Sequence, residues 1–161
     1  MSAFHAHGVR YLIVGGYAVI FYAQPRATKD IDLFIKADPT NSQATYAALA
    51  EFGVPLGDIR PEDFADRSSF FRFGRDPYGV DILPDLPGVD FEDAWARRVE
   101  GVVDAESGLK AFFISKDDLI AAKLASGRMR DLADVEDIRA ASQSVAASPQ
   151  KKRLPRKGGE D

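Results

Sequence analysis

Short apolar runs bounded by glycine, proline and aspartate alternate along this chain with stretches of helical spacing. The run at 11–14 is followed by two glycines, and it predicts a buried strand that leads into a helix over 17–24. Alternation over 31–35 predicts a second strand, in which the apolar side chains face one way and Asp32 faces the other. The first part of the chain is therefore expected to place a strand on each side of a short helix.

The middle of the chain predicts further strands, separated by loops that are rich in glycine, proline and aspartate. A turn over 74–78 would join two of these strands into a hairpin. We expect a helix from residue 38 to about residue 52, a loop over 53–68, strands over 69–73, 79–83, 99–103 and 109–114, and a helix over 91–98.

The last third of the chain predicts two helices. Ser115 followed by Asp118 forms a capping box in its acidic form, and Gly127 marks a natural end for the first helix. A second helix is expected over 132–145. Strands and helices in mixed order predict one α/β (α+β) domain over 1–147, with a mixed central sheet flanked by helices and two helices at its C-terminal end.

Composition supports a single globular domain, since 161 residues of which 45% are hydrophobic can bury a sizeable core. The charge is uneven: residues 151–161 hold five basic and two acidic residues, a net charge of +3, whereas the rest of the chain carries −7. We expect 148–161 to be a disordered basic tail, which could contact phosphate. The acidic body argues against a general nucleic-acid binder, whose footprint is a basic face.

Composition also excludes several kinds of site. The chain has no cysteine, which excludes disulfides, thiolate zinc sites and cysteine nucleophiles. No apolar run approaches the roughly 18 residues of a membrane-spanning helix, and no secretory signal is visible at the N-terminus. We therefore expect a cytoplasmic protein that does not contact membranes.

Three aspartates are the candidate catalytic residues. Asp30 and Asp32 lie two positions apart on one predicted strand, so both side chains point to the same face. Asp81 lies in a second apolar strand, and an acid there is costly to bury unless it binds something. If the two strands are neighbours, the three carboxylates converge and could hold two divalent ions, Mg²⁺ or Mn²⁺. The alternative is that these acids face only water.

Gly15 and Gly16 stand where a strand ends and a helix begins. Glycines at such a position let backbone N–H groups approach a phosphate, and the N-terminus of the helix adds positive potential. An ordinary tight turn is the alternative explanation. The glycine patterns of dinucleotide-binding and P-loop proteins are both absent.

The order of these motifs resembles the nucleotidyltransferase superfamily, whose fold is shared with DNA polymerase beta. That family has a strand ending in two small residues, a helix, a strand with an Asp-x-Asp pair, and a third acid on a later strand. The local pattern Gly-Gly-x-Ala followed by Arg-x-Thr-x-Asp-hydrophobic-Asp is similar to that of small prokaryotic AbiEii-type enzymes. It is present here at 15–18 and 26–32, and a Leu-x-x-x-Lys-Leu…Arg…Asp segment is matched at 119–134.

The resemblance implies transfer of a nucleoside monophosphate from an NTP to an acceptor hydroxyl, with release of pyrophosphate. It implies that Asp30, Asp32 and Asp81 bind the metal ions and that Asp81 activates the acceptor. The acceptor is left open between a tRNA end, a side chain of a partner protein and a small molecule, and a toxin–antitoxin or phage-defence role is suggested. Nucleotide-binding residues implied in the same way are Gly15, Gly16, Arg26, Thr28, Lys123 and Asp131.

Two other functions stay open at this point. One is a non-catalytic nucleotide- or partner-binding module related to antitoxins, and the other is a phosphohydrolase that uses the same acids with water. Some of the implied residues also have simpler explanations. Lys123 could reach solvent from the edge of an apolar helix face. Arg128 and Asp131 could form a local ion pair, and Arg26 could simply be a solvated residue of a loop.

Overall fold

The computed structural model describes residues 1–146. The predicted basic tail, 148–161, lies outside these residues. The helices within 1–146 are α1 Ser2–Ala6, α2 Gly15–Tyr22, α3 Pro39–Phe52, α4 Phe91–Ala96, α5 Lys116–Ser126 and α6 Met129–Ala146, with a short 3-10 helix at Pro61–Ala65. The strands are β1 Tyr11–Val14, β2 Asp30–Ile35, β3 Phe71–Arg75, β4 Tyr78–Leu83, β5 Val99–Asp104 and β6 Leu109–Phe113.

One six-stranded sheet organises the described residues, in the order β3-β4-β2-β1-β6-β5. β2 pairs in parallel with β4, and β1 pairs in parallel with β6, while the other neighbours are antiparallel. The predicted mixed sheet with flanking helices is therefore confirmed. Strand β2 lies between β1, which ends at the two glycines, and β4, which carries Asp81.

The burial of the side chains changes along β2. All four residues of β1 are buried, and so are Leu33, Phe34 and Ile35 in the second half of β2. The first half of β2, which holds Asp30 and Asp32, is only partly buried. The C-terminal half of this strand therefore belongs to the core, and its N-terminal half is the part that is free to meet a ligand.

Local capping explains the boundaries of the two helices that were predicted from capping signals. The Asp38 carboxylate accepts a hydrogen bond from the backbone N–H of Asn41 at the start of α3. The Ser115 hydroxyl accepts one from the backbone N–H of Asp118 at the start of α5, and Gly127 ends that helix with a φ of 66°. These ends agree with the sequence-based prediction.

Other helices differ from it. α4 ends at Ala96 rather than at residue 98. α2 begins at Gly15 rather than at residue 17, and α6 begins at Met129 rather than at residue 132. α1 was not predicted, and it is held by the buried side chain of Phe4 and by packing on α3. None of the helices within residues 1–146 is long and apolar enough to cross a membrane.

Candidate active site

Asp30, Asp32 and Asp81 come together on two neighbouring strands. β2 and β4 run parallel, with Asp32 directly opposite Asp81. Residues two positions apart on a strand share a face, so Asp30 lies on the same side of the sheet. Asp81 is 8% exposed and its strand has a neighbour on each side, so a residue that faces only water is the wrong explanation for it. The structure thus brings the three predicted carboxylates to one place.

The electrostatics of this cluster favour a bound cation. Burial, followed by the negative charge of Asp81 and a side-chain hydrogen bond with it, raises the pKa of Asp32 to about 6. The charge of Asp30 acts in the same direction, and Lys123 opposes it by lowering the pKa of Asp32. The ionised form of Asp32 is therefore disfavoured by its own neighbours, and a divalent cation beside it would favour that form.

Gly15 and Gly16 leave room for side chains that approach from β2 and the segment before it. A Cβ atom on Gly15 would lie 2.0 Å from Oδ2 of Asp32, and one on Gly16 would lie 2.6 Å from Oγ1 of Thr28. Gly15 also has a φ of 62°, a conformation that favours glycine. The pair is more than an ordinary tight turn, because its missing side chains allow the start of α2 to lie against the Asp32 carboxylate.

Replacing Gly15 with alanine is expected to lower both stability and activity. The added Cβ would collide with Asp32, and a positive φ costs roughly 1–2 kcal/mol for a residue with a side chain. Gly57 is a matched control, since its φ is 55° and nothing lies within 4 Å of an added Cβ. Urea denaturation measures the change in stability, and initial rates of the nucleotide transfer that the resemblance implies measure the change in activity. Equal transfer rates in Gly15→Ala and Gly57→Ala would contradict a role for the close approach.

Arg72 is a fourth member of the cluster. It lies opposite Asp81 on β3, and its Nε and Nη2 atoms donate to the two carboxylate oxygens of Asp81 at 2.7 and 2.8 Å. The Nη2 atom also lies 3.4 Å from Oδ2 of Asp30. The Arg72 side chain is 61% exposed, so it can leave these carboxylates without opening the core. Arg72 thus supplies positive charge to Asp81 and Asp30, while Lys123 acts on Asp32.

Within residues 1–146, no group of three or more acidic or histidine side chains is arranged to hold a metal ion. In the acidic cluster, both oxygens of Asp81 accept hydrogen bonds from Arg72, so the guanidinium would compete with a cation for this carboxylate. Hard carboxylate oxygens are the ligands that suit Mg²⁺ and Mn²⁺. The donor set therefore fits a divalent cation once Arg72 moves away.

We expect Arg72→Gln to raise the affinity of the nucleotide-free protein for Mn²⁺. The pair has one exposed partner, Arg72, and one buried partner, Asp81. If it is worth about 1 kcal/mol, the upper value for exposed pairs, removal of the competing guanidinium should raise the affinity roughly fivefold. Electron paramagnetic resonance of free Mn²⁺ measures this directly. Arg75→Gln, which changes an exposed arginine on the same strand, is the control. Unchanged or weaker binding in Arg72→Gln would show that the guanidinium and the cation do not compete.

A buried ion network lies beside the acidic cluster. Lys123 is 7% exposed, and its Nζ lies 3.0 Å from Oδ1 of Asp131 and 2.7 Å from Oδ2 of Asp134. Arg26 binds both oxygens of Asp134, and Arg128 binds Asp131 at 2.7 Å. Lys123 therefore does not reach solvent, and Arg26 does more than solvate a loop. The predicted pair of Arg128 with Asp131 is present, as one part of the network.

Two adjoining cavities open on the acids. They share seven lining residues: Gly15, Asp32, Arg72, Asp81, Lys123, Arg128 and Asp131. All of the site residues predicted from the sequence line at least one of them. The apolar cavity, of about 700 Å³, is also lined by Phe70, Leu83, Leu86, Pro87, Leu119 and Ala122. The polar cavity, of about 560 Å³, is also lined by Gly16, Arg26, Thr28, Lys29, Arg130 and Asp134.

Arg72 and the lining of the apolar cavity were not predicted from the sequence. The signal for Arg72 is the register of the β3–β4 hairpin, which pairs Arg75 with Tyr78 and therefore Arg72 with Asp81. The turn over 74–78 that was expected from the sequence differs from this register by one residue. With that expected register, Arg72 would lie on the other face of the sheet from Asp81. The apolar lining comes from three separate parts of the chain, and no local pattern connects them.

Residues 3–145 match the model of a protein family described as "Nucleotidyltransferase of unknown function (DUF6036)". Among solved structures, the crystal structure of the lincosamide antibiotic adenylyltransferase LnuA, bound to lincomycin, matches with a TM-score of 0.52 and 19% sequence identity. The match covers 87% of this chain and 92% of that chain, and it shows a shared fold. No curated protein matches. Because the family match spans nearly all of the described residues, the chain belongs to this DUF6036 family of nucleotidyltransferases.

Proposed function

We propose that this protein transfers a nucleoside monophosphate from an NTP to an acceptor hydroxyl, in a reaction that depends on Mg²⁺ or Mn²⁺. The observation that carries the proposal is the position of Asp32, opposite Asp81 on a parallel strand and against Gly15 at the start of α2. Membership of a nucleotidyltransferase family supports the reaction class.

Asp30, Asp32 and Asp81 would hold the divalent cations. The raised pKa of Asp32 supports this, because burial and the charge of Asp81 make an ionised carboxylate unfavourable there without a cation. Cations bound at this place neutralise phosphate charge and stabilise the leaving pyrophosphate. For Asp81 to take part, Arg72 would exchange its bonds to this carboxylate for bonds to solvent or to a phosphate.

In the proposed step, the oxygen of the acceptor hydroxyl forms a bond to the α-phosphorus of the NTP. The bond from that phosphorus to the oxygen that bridges to the β-phosphate breaks, and pyrophosphate leaves with the electron pair. Asp81 lines both cavities, so its carboxylate is in a position to accept the hydroxyl proton.

The polar cavity would hold the triphosphate. Gly15 and Gly16 open an eight-residue helix whose N-terminal N–H groups favour an anion. The lining of the polar cavity carries six basic and five acidic side chains, which gives the cavity a formal net charge of +1 before any metal binds. Thr28 and Arg26, which lie beside Gly16, would face the phosphates as well. Asp131 would act indirectly, by holding Lys123 and Arg128 in place.

The acceptor and the biological role go beyond the family. Three classes of acceptor are considered: a tRNA end, a side chain of a partner protein and a small molecule. The solved structure with a similar fold is an antibiotic adenylyltransferase bound to lincomycin, and this favours a small molecule. A toxin–antitoxin or phage-defence role rests on the resemblance of the segments at 15–18 and 26–32. A cytoplasmic location is the setting in which we expect the reaction.

A non-catalytic binding module is the second candidate function. The specific observation in its favour is the pair of bonds from Arg72 to Asp81, since a permanent ion pair there would keep the third carboxylate from metal and acceptor. Such a protein would bind an NTP without turnover. A phosphohydrolase would use the same acids, and it would release phosphate or free nucleotide instead of a labelled acceptor.

A label-transfer assay separates these functions. The purified protein is incubated with each NTP labelled at the α-phosphate, with Mg²⁺ or Mn²⁺ and a cell extract, and the RNA, protein and small-molecule fractions are resolved. The double variant Asp30→Ala, Asp32→Ala is the control. We expect label in one fraction with the wild type and none with the control. Metal-dependent NTP binding with no label in any fraction would favour the non-catalytic module.

A further inference from the structure

We propose that the apolar cavity is the acceptor site and that the acceptor is a small, largely apolar hydroxyl compound that is uncharged or cationic. This inference rests on the proposed function and narrows it, because nucleotidyl transfer alone is equally compatible with RNA, protein or a small molecule. Three properties of the described residues carry it: the position of the cavity relative to the acids, its size and lining, and its charge.

The position follows from the geometry of phosphoryl transfer. The attacking oxygen and the leaving oxygen lie roughly in line on opposite sides of the phosphorus. Gly15 lines both cavities, but Gly16 and three further basic residues, Arg26, Lys29 and Arg130, line only the polar cavity, so the leaving pyrophosphate belongs there. The apolar cavity reaches the same carboxylates, Asp32 and Asp81, from another direction. A hydroxyl group that enters through it therefore meets both the phosphorus and the carboxylate that would take its proton.

The size and lining of the apolar cavity are those of a small-molecule site. Sites for such ligands occupy about 300–1,000 Å³ and combine an apolar wall with a few polar groups. The apolar cavity measures about 700 Å³, and side chains from β4, the segment after it and α5 form the wall. Phe70 lies at the edge, 63% exposed, and offers an aromatic face to a ligand.

The charge of the apolar cavity argues against a nucleic acid. A protein that binds RNA or DNA needs cations that are available for the phosphate backbone. Of the three basic residues that line the cavity, Arg128 is paired with Asp131, and Lys123 with Asp131 and Asp134. Only Arg72, which pairs with Asp81 until a cation displaces it, could turn to a phosphate. The acids of the cavity outnumber its bases by four to three, since Asp85 is present as well as Asp32, Asp81 and Asp131. An uncharged or cationic ligand fits this balance, and a polyanion does not.

The test offers the wild type three sources of acceptor in separate reactions: the small-molecule filtrate of a cell extract, total tRNA and the retained protein fraction. Each reaction contains an α-labelled NTP and Mg²⁺, and the NTP affinity is measured in parallel with a fluorescent NTP analogue. Phe70→Ala is the main variant, because the exposed side chain can be removed without loss of core packing. Phe52→Ala removes another exposed aromatic ring, which lines neither cavity, and it is the matched control. Ala122→Leu is a second variant, which narrows the apolar cavity from α5.

We expect label in the filtrate reaction, a fall of roughly tenfold in its rate with Phe70→Ala, and unchanged NTP affinity. Phe52→Ala should transfer label at the wild-type rate. Label in tRNA or in protein, with the filtrate unlabelled, would overturn the inference and leave the proposed function standing. A loss of NTP affinity in Phe70→Ala and Ala122→Leu would also overturn it, since the cavity would then hold the nucleoside. If no reaction is labelled, both the inference and the proposed function fail.

Discussion

Replacing Asp32 with asparagine is expected to reduce nucleotide transfer by roughly 10²–10³-fold or more, while the protein stays folded. Asparagine has nearly the same size as aspartate, but it cannot supply the negative charge that a divalent cation needs beside Asp81. The free energy of unfolding should stay equal or rise, because burial and the charge of Asp81 already disfavour the ionised form of Asp32. Initial transfer rates and urea denaturation measure the two effects separately.

Asp58→Asn is the matched control for this variant, since it changes an exposed aspartate in the loop after α3. We expect it to transfer label at the wild-type rate. Retained activity in Asp32→Asn would remove this residue from the catalytic centre. Loss of activity together with a large loss of stability would show instead that Asp32 has a structural role.

The second large effect is expected in the buried ion network. Asp134 is 2% exposed, and it accepts bonds from both Arg26 and Lys123. Asp134→Ala leaves these two cations without their shared partner inside the protein, and breaking a buried pair in this way costs about 3–5 kcal/mol. Urea denaturation should show a loss of that size. The network joins α6 and α5 to the segment before β2, so the polar cavity should also lose its shape and its affinity for NTP.

Glu136→Ala on the same helix is the control for Asp134→Ala. The Glu136 side chain is 75% exposed and pairs with Arg139 at 3.4 Å. An exposed pair of this kind contributes about 1 kcal/mol or less. If Asp134→Ala destabilises the protein no more than Glu136→Ala does, the network is not a stabilising element.

Much of the fold follows from local signals in the sequence. The apolar run before Gly15 predicts β1, the alternation before Ile35 predicts β2, and Ser115 with Gly127 marks both ends of α5. These signals are reliable here because each combines a periodic apolar pattern with a residue that caps or breaks it. α1 lacks both, since a five-residue helix is too short to show a period, and it is formed by tertiary packing of Phe4.

The part of the candidate site that lies on a single strand was predictable from the sequence. The part that depends on the register between two strands was not. Asp30 and Asp32 share a face by strand geometry alone, so their pairing follows from the sequence. Their approach to Asp81 depends on β2 and β4 being parallel neighbours in one particular register, which the sequence gives only as a condition. Lys123 is buried rather than exposed because Asp131 and Asp134 face it from the next helix, and a single-helix pattern does not show that.

The central claim is metal-dependent nucleotidyl transfer. The measurement that tests it most directly is the identity of the phosphate product that is released while label passes from the NTP to the acceptor. With Mg²⁺, an NTP and the acceptor fraction, we expect pyrophosphate to be released in equal amount to the nucleotide transferred. Both should disappear when the divalent cation is chelated and when Asp32 is replaced with asparagine. Release of orthophosphate in place of pyrophosphate, or transfer that continues without a divalent cation, would contradict a metal-dependent nucleotidyltransferase built on these three aspartates.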